Sequence, residues 1–93
     1  MIRSFKDKLS LSVANGSVKK GFPADLVRRA QQLLALLHTT TDLKDMMSPP
    51  GNRLEKLSGD RDGQYSVRII QQWRICFSWS KGGADDVEIV DYH

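Results

Sequence analysis

Two groups of residues in the second half of the chain have side chains that could carry out acid–base or phosphate chemistry. The final stretch, VEIVDYH, ends in Tyr92 and His93, and His93 is one of two histidines in the 93 residues. A histidine side chain can both accept and donate a proton near neutral pH. Upstream, the stretch QYSVRIIQQWRICFSW carries Arg68 and Arg74. The guanidinium fork of an arginine matches two oxygens of a phosphate group.

Together these residues could support cleavage of an RNA phosphodiester bond. That reaction needs a base for the 2′-hydroxyl, an acid for the leaving oxygen and cations for the phosphate. Tyr92, His93, Arg68, Arg74 and the basic residues of segment 53–61 could supply all three without a metal ion. A histidine at a chain end is more often simply solvated, because chain ends tend to fray. The chemistry of the residues leaves both interpretations open.

The alternation of apolar residues determines which face of a predicted hairpin carries the arginines. The apolar residues of the two strands share one face only if the residue numbers of each directly opposite pair sum to an even value. This pairing requires a loop with an odd number of residues near residues 70–73. Arg68 and Arg74 then lie on the opposite face, with Ser66, Cys76 and Ser78. The apolar sets are Tyr65, Val67 and Ile69 on one strand, and Trp73, Ile75, Phe77 and Trp79 on the next.

The face that carries the arginines has two possible roles. Neither strand contains an acidic residue, so the pattern is unlike a structural ion pair. A solvated polar face is common in antiparallel sheets. Clustered arginines without carboxylates also suit phosphate binding. The pattern alone does not choose between these roles.

The stretch RLEKLSGDRDG adds further candidates before the hairpin. Arg53, Lys56 and Arg61 could bind an RNA backbone together with Arg68. Glu55 is a candidate general base, although an exposed glutamate on a strand is the more common situation. Asp60 and Asp62 are expected to stabilise the turn itself, since aspartate bonds its own backbone there.

The rest of the chain predicts the elements that position these residues. MIRSF predicts a first strand, and KDKLSLSVANGS a short helix or turn that stops at Asn15-Gly16. An amphipathic helix is predicted over residues 23–40, with Pro23 in its first turn and a buried stripe. The stripe consists of Leu26, Ala30, Leu33 and Leu37, widened by Val27 and Leu34.

The segment from residue 42 onward predicts a change from helices to strands. The stretch SPPGN separates the helical half of the chain from the strands, and NRLEKLSG predicts a short strand after it. Met46 and Met47 are expected to fill the edge of the core. Helices followed by an antiparallel meander predict an α+β fold in one domain, residues 1–93, with the helices on one face of the sheet. In VEIVDYH, both alternating sets mix apolar and charged residues, so the buried face of the last strand is not predicted.

Composition narrows the functional class. The chain is 40% apolar and 27% charged, with a net charge of +3 and a pI of about 9.2. We expect a soluble cytoplasmic protein, because no stretch approaches the roughly 20 apolar residues of a membrane span and one cysteine cannot form an internal disulfide. Two histidines and Cys76 are too few for a dedicated zinc site. Mild basicity weakly favours a polyanionic partner.

The stretches SPPGNRLEKLSGDRDGQYSVRIIQQWRICFSW and VEIVDYH resemble the plasmid-maintenance killer proteins, the HigB-type toxins of the RelE-like superfamily. The likeness covers MIRSFK and nearly all of residues 42–93; the combination of GDRDG, QWRICF and DYH at this spacing is specific. It implies two N-terminal helices on one face of a curved, mainly antiparallel sheet of four to five strands. It also implies a ribosome-dependent endoribonuclease that cuts translated mRNA.

The resemblance also implies roles for individual residues. The arginine of the W-R-I strand and the closing tyrosine and histidine belong to the family's active centre, and they match Arg74, Tyr92 and His93. Family members use a histidine and a lysine just before the GDR turn. This chain has Glu55 and Ser58 there, with Lys56 nearby, so the general base differs and the toxin is expected to be weaker.

The partners implied are a helix-turn-helix antitoxin of the HigA type, the ribosome and mRNA, with no cofactor, metal or membrane. Two rival functions remain: poisoning of DNA gyrase, as in the sister branch of the superfamily, and a non-catalytic antitoxin-binding regulatory subunit. A tail beyond His93 is expected to crowd the cleft between the arginine strand and the Tyr-His end.

Overall fold

A computed structural model of the protein describes residues 1–17, 20–47 and 52–92. Within these ranges, two helices precede an antiparallel sheet, and short 3₁₀ turns connect the elements. The helices are α1, Lys8–Asn15, and α2, Val27–Thr39; the strands are β1, Glu55–Lys56, β2, Gln64–Arg68, β3, Trp73–Ser80, and β4, Gly83–Asp91; the 3₁₀ turns cover Ala24–Leu26, Leu43–Met47 and Gly59–Arg61. This arrangement confirms the predicted α+β fold.

Helix α1 is defined by a cap at each end. The Asp7 carboxylate accepts a hydrogen bond from the Ser10 backbone N–H at 2.8 Å, which satisfies a donor that the first turn leaves open. Gly16 adopts a left-handed conformation with φ of 73° and its N–H donates to the carbonyl of Val13. Because only glycine adopts this conformation without strain, the predicted stop at Asn15-Gly16 is confirmed.

Helix α2 is shorter at its start than the predicted range of 23–40. Pro23 has an extended ψ of 127°, and the chain makes a 3₁₀ turn before regular helix begins at Val27. The predicted buried stripe is largely confirmed, because Ala30, Leu33 and Leu37 are at most 2% exposed. The helix therefore covers the sheet with the face that its periodicity indicates.

The sheet has the strand order β1-β2-β3-β4, and every neighbouring pair is antiparallel. Val67 lies opposite Ile75, so the paired numbers sum to an even value. The Ile69 N–H donates to the Trp73 carbonyl, which leaves three residues in the loop. The predicted odd-length connection is confirmed, and with it the separation of an apolar face from the face that carries the arginines.

The first residues do not form the predicted strand. They lie parallel to β4 and make two isolated bridges, from Ile2 to Ala84 and from Phe5 to Val87. The Arg3 guanidinium contacts the Asp85 carboxylate at 2.7 Å and the Ser80 carbonyl. Four backbone hydrogen bonds to Ala84 and Val87 and the side chain of Arg3 thus hold this segment against β4.

A bulge in β4 decides which of its residues enter the core. Cys76 and Ser78 are two residues apart on β3, but their partners on β4, Glu88 and Asp85, are three apart. Asp86 occupies the extra position with a φ of 52°. Ala84 and Val87 are consequently both buried at 0% exposure, although they are an odd number of residues apart.

The core lies between the helices and one face of the sheet. Phe77 and Val13 are fully buried in it, and Met46 also fills it at 0% exposure. Met47 is 61% exposed, so the expectation that both methionines fill the core edge is wrong for this one. A buried hydroxyl also joins the layers, because the Ile89 N–H donates to Ser10 Oγ at 2.8 Å. Among the described residues, no helix is long and apolar enough to cross a membrane.

Candidate active site

The sheet face turned away from the helices, here called the open face, holds most of the predicted site residues. Arg68 lies directly opposite Arg74, which lies opposite Val90. Opposite residues in a sheet project to the same side, so both guanidinium groups lie on the open face. The prediction that the two arginines are neighbours on one face is confirmed.

Arg74 is held between a carboxylate and an aromatic ring. Its Nη1 donates to Glu55 Oε1 at 3.2 Å, and its Cζ lies 5.3 Å from the centre of the Tyr92 ring. The Arg74 side chain is 11% exposed, whereas Glu55 is 50% exposed. The ring face stabilises the cation electrostatically, and the carboxylate fixes one edge of the fork.

The expectation that these arginines have no carboxylate partner is wrong for Arg74. That expectation considered only β2 and β3, which contain no acidic residue. The partner comes instead from the edge strand β1, where Glu55 lies opposite Ser66. The register of β1 could not be read from the sequence, since this strand has only two residues.

Both arginines of the open face keep a polar atom without a partner. The Nε of Arg68 and the Nε of Arg74 are buried, and neither hydrogen bonds to any group in the described parts of the chain. A buried donor left without a partner costs about 1–3 kcal/mol. The open face therefore presents two neighbouring cations whose hydrogen-bonding capacity is only partly used. This arrangement suits an anion.

Tyr92 lies between two open clefts. The first has a volume of about 470 Å³, and it contains candidates for both acid–base chemistry and phosphate binding. Its lining is Glu55, Lys56, Leu57, Ser58, Asp60, Arg61 and Tyr92. Glu55, Lys56 and Arg61, which are distant from Tyr92 in sequence, thus meet it at one surface.

The second cleft, of about 530 Å³, lies on the other side of Tyr92, where Gln71, Gln72 and Arg74 complete its lining. The Gln72 side chain donates to the Asp91 carboxylate at 3.1 Å, which ties the loop between β2 and β3 to the end of β4. Arg74 and Tyr92 border the same cleft, so an extended ligand that crosses Tyr92 would pass beside the guanidinium. No sequence pattern indicated that the two glutamines would line the site.

Arg61 reaches across the open face to a residue that sequence reasoning missed. Its Nη1 donates to Glu88 Oε1 at 3.0 Å and to Gln64 Oε1 at 3.1 Å. Burial of the guanidinium opposes its charge, but the hydrogen bond to Glu88 is among the contacts that raise the pKa of Arg61. Glu88 was missed because the alternation of β4 did not reveal its face before the bulge was known.

Cys76 lies under this ion pair and is chemically quiet. It lies opposite Glu88, is 0% exposed, and burial raises the pKa of its thiol. The positive charges of Arg61 and Arg74 act in the opposite direction and do not overcome burial. The thiol therefore stays neutral and shielded near neutral pH.

Among the predicted site residues that the structure describes, Arg53 and Arg68 line neither cleft beside Tyr92. Arg53 is exposed, with a φ of 49°. His93 lies outside the described residues, so its predicted role stays a prediction. Across residues 1–17, 20–47 and 52–92, no group of three or more His, Cys, Asp or Glu side chains is placed to hold a metal ion.

Comparison with known proteins assigns the chain to a family. Residues 3–93 match the model of a family described as the RelE-like toxin of type II toxin–antitoxin system HigB. The chain belongs to this family. The resemblance to the HigB-type toxins of the RelE-like superfamily is thereby confirmed, and a type II system implies a cognate antitoxin as the partner of this HigB-like toxin.

Curated relatives extend along most of the chain. A protein of Proteus vulgaris named Endoribonuclease HigB is 33% identical over 93 residues, which is 100% of both chains. Toxin HigB-1 of Vibrio cholerae is 32% identical over 85 residues, or 90% of each chain. An uncharacterized protein of Haemophilus influenzae is 24% identical over 72 residues, 77% of this chain and 71% of its own length. The HigB-like family thus covers both the helices and the open face.

Proposed function

We propose that this HigB-like protein is the toxin of a type II toxin–antitoxin pair and acts as an endoribonuclease on mRNA that the ribosome is translating. Its membership of the HigB-like family supports the toxin function, and the name of the Proteus vulgaris relative supports the ribonuclease activity. The ribosome and mRNA as partners, and the cytoplasm as the location, follow from that activity.

The observation that carries the proposal is the position of Arg74. The Arg74 side chain is 11% exposed; its guanidinium contacts the Glu55 carboxylate at 3.2 Å and lies over the ring of Tyr92, which borders both clefts. A preorganised cation that is shielded from water stabilises developing negative charge more strongly than a solvated one. A phosphate placed between the clefts would meet this cation together with a candidate base.

The reaction proposed is a transesterification within the RNA backbone. The 2′-oxygen attacks the neighbouring phosphorus, the bond from phosphorus to the 5′-oxygen breaks, and a 2′,3′-cyclic phosphate and a 5′-hydroxyl result. One proton leaves the 2′-hydroxyl and one is added to the 5′-oxygen, so the reaction needs no net acid or base. Arg74, with Arg68 beside it, stabilises the charge of the five-coordinate phosphorus.

Glu55 is the proposed general base. Its carboxylate is half exposed in the first cleft, where a 2′-hydroxyl can reach it, and one oxygen already contacts Arg74. The same ion pair that orients Arg74 therefore places the base beside the phosphate site. His93 is the proposed acid for the 5′-oxygen, on the basis of the DYH motif, and Tyr92 orients the RNA between the clefts.

The positive residues around the first cleft are proposed to hold the RNA backbone. Lys56 and Arg61 line it, and Arg68 lies beside Arg74 in the sheet. The remaining candidate, Arg53, would contact RNA only outside the two clefts. The ribosome supplies what a small open cleft lacks, because it holds the codon in an extended conformation that aligns the 2′-hydroxyl with the leaving oxygen.

Primer extension on a reporter mRNA tests this function. The wild-type protein is expected to cut the mRNA inside its translated frame in a reconstituted translation reaction, with and without EDTA at a concentration that preserves the ribosomes. Arg74→Ala is expected to lower the cleavage rate at least about 100-fold, since it removes the main cation. Arg74→Lys is expected to recover only part, because lysine lacks the fork.

Arg28→Ala is the matched control, because Arg28 is exposed on α2 away from the open face. It should cleave like the wild-type protein. Cleavage that does not require translation would contradict the role of the ribosome. Growth arrest without any RNA cleavage, accompanied by double-strand breaks in DNA, would instead identify gyrase as the target.

A further inference from the structure

Glu88 is a carboxylate on a face that is proposed to bind RNA phosphates, and its position there needs an explanation. It ends a row across the sheet in which Glu55 lies opposite Ser66, Ser66 opposite Cys76, and Cys76 opposite Glu88. Its side chain is only 19% exposed. A partly buried carboxylate repels an approaching phosphate unless a cation neutralises it.

The neutralising cation is Arg61, which comes from the turn between β1 and β2. Arg61 Nη1 lies 3.0 Å from Glu88 Oε1, and the Arg61 side chain is 29% exposed. Lys6 Nζ lies 3.9 Å from the same oxygen, but the Lys6 side chain is 54% exposed and binds Glu88 more weakly. Glu88 therefore holds mainly Arg61.

The backbone hydrogen bonds of the turn that carries Arg61 are local, since Arg61 donates to Ser58 and Asp62 to Gly59. The turn begins at Gly59 with a φ of 65°, and the Arg61 N–H makes a long bond of 3.4 Å to the Ser58 carbonyl. The side chain then reaches across the open face to Glu88, the residue that lies opposite Cys76. The Arg61–Glu88 ion pair thus ties the turn to β4, the strand that leads to Tyr92.

The ion pair leaves most of the Arg61 guanidinium unused. Both of its side-chain acceptors, Glu88 and Gln64, bind the same nitrogen, Nη1. In the described parts of the chain, Nε and Nη2 make no hydrogen bond with a protein group, while the residue lines the first cleft. An arginine has five N–H donors, so a phosphate can be bound without loss of the bond to Glu88.

We infer that Glu88 is a positioning residue of the endoribonuclease: it fixes Arg61 so that the remaining N–H groups bind RNA phosphate in the first cleft. This inference rests on the proposed function. Glu88 contacts Arg61 and, more weakly, Lys6, so its effect on RNA binding passes mainly through the arginine. Because Glu88 holds the long Arg61 side chain in place before RNA binds, the side chain loses less conformational entropy on binding.

A double-mutant cycle tests the inference in the ribosome-dependent cleavage assay. Glu88→Gln keeps the size of the side chain and removes its charge; Arg61→Gln removes the cation, and the third variant carries both changes. Glu88→Gln alone is expected to lower kcat/KM about 3- to 100-fold, mainly through KM. In the Arg61→Gln background it should have almost no further effect. Asp25→Asn is the control: it removes one negative charge, as Glu88→Gln does, from an exposed residue on the 3₁₀ turn before α2, and it should cleave normally.

Three results would overturn the inference. Wild-type cleavage by Glu88→Gln would show that the carboxylate is idle, and an equal loss in both backgrounds would show that it does not act through Arg61. If Glu88→Gln does not fold, as judged by its thermal unfolding midpoint, Glu88→Asp replaces it. This variant keeps the charge but shortens the reach, and an unchanged KM would then contradict the inference. Absence of cleavage by the wild-type protein would instead disprove the proposed function.

Discussion

The two faces of the sheet are formed by the same strands, yet they differ in how completely their side chains are packed or hydrogen-bonded. On the face under the helices, Val67, Ile75 and Val87 are 0% exposed and pack into one apolar core. On the open face, Arg68 and Arg74 lie side by side, and each has a buried Nε without a partner among the described residues. Only the first face is organised for stability.

This difference indicates what the open face is suited to bind. Apolar burial stabilises the fold by about 25 cal/mol per Å² removed from water. Neighbouring guanidinium groups with unused donors instead destabilise the free protein, and an anion that binds between them relieves the repulsion. Substitutions on the two faces should therefore separate loss of stability from loss of activity.

Truncation in the core should have the largest effect on stability. Phe77 is fully buried and contacts the rings of Tyr65 and Trp79. Phe77→Ala is expected to lower the free energy of unfolding by about 3–5 kcal/mol, because it leaves a cavity. Urea denaturation measures this change. Phe77→Leu, which fills more of the space, should lose less; equal stability of all three proteins would contradict the assignment of the core.

Removal of the proposed base should have a large effect on activity and a small effect on stability, the reverse of the core truncation. Glu55→Gln is expected to slow cleavage about 10²- to 10⁴-fold, as for other general bases. Its unfolding free energy should change by no more than about 1 kcal/mol, because half of the Glu55 side chain is exposed. Single-turnover cleavage and urea denaturation measure the two effects.

Asp62→Asn is the matched control for Glu55→Gln, since Asp62 is exposed just after the Gly59–Arg61 turn and lines neither cleft beside Tyr92. It should cleave at the wild-type rate. A Glu55→Gln variant that is as active as this control would remove Glu55 from the mechanism and leave the base to another group.

A polar contact beneath the sheet should affect stability alone. Ser10→Ala removes the acceptor of the buried Ile89 N–H, and it is expected to cost about 1–3 kcal/mol. Ser12→Ala, whose hydroxyl bonds the Leu9 carbonyl in its own helix, should cost less. Cleavage per folded molecule should be unchanged in both variants; reduced cleavage by folded Ser10→Ala would couple the core face to the site.

The smallest effect is expected from a single cation at the rim of the first cleft. Lys56→Ala should reduce the slope of log affinity for single-stranded RNA against log salt by about 0.7, the value for one phosphate contact. Fluorescence anisotropy at several salt concentrations measures the slope. Lys44→Ala, on the exposed side of the 3₁₀ turn after α2, should leave it unchanged. Equal slopes for both variants would place the RNA away from the cleft.

Local patterns predicted much of this architecture correctly. The four-residue recurrence of Ala30, Leu34 and its neighbours identified the covered face of α2, and alternation in β2 and β3 gave their register. Both patterns work because the periods of 3.6 and 2 residues are properties of a single element. The stop at Gly16 was equally local, since it depends on the φ of one residue.

Patterns failed where one element depends on another. MIRSF has strand-like residues, but it makes only two isolated bridges to β4, with backbone hydrogen bonds to Ala84 and Val87 and an ion pair from Arg3. In β4, the extra residue Asp86 shifts the alternation, and that shift can be recognised only from the pairing with β3. The residues of either segment alone did not predict how it pairs, because strand pairing depends on two segments at once.

The sequence by itself determined which face of the hairpin carries Arg68 and Arg74, and it brought the W-R-I and Tyr-His motifs to attention. Only the tertiary structure decided their surroundings: the ion pair of Arg74 joins residues 19 apart, and that of Arg61 joins residues 27 apart. Side-chain direction follows from the backbone period of one strand. Ion pairs follow from how separate strands and turns lie against each other, which no local period encodes.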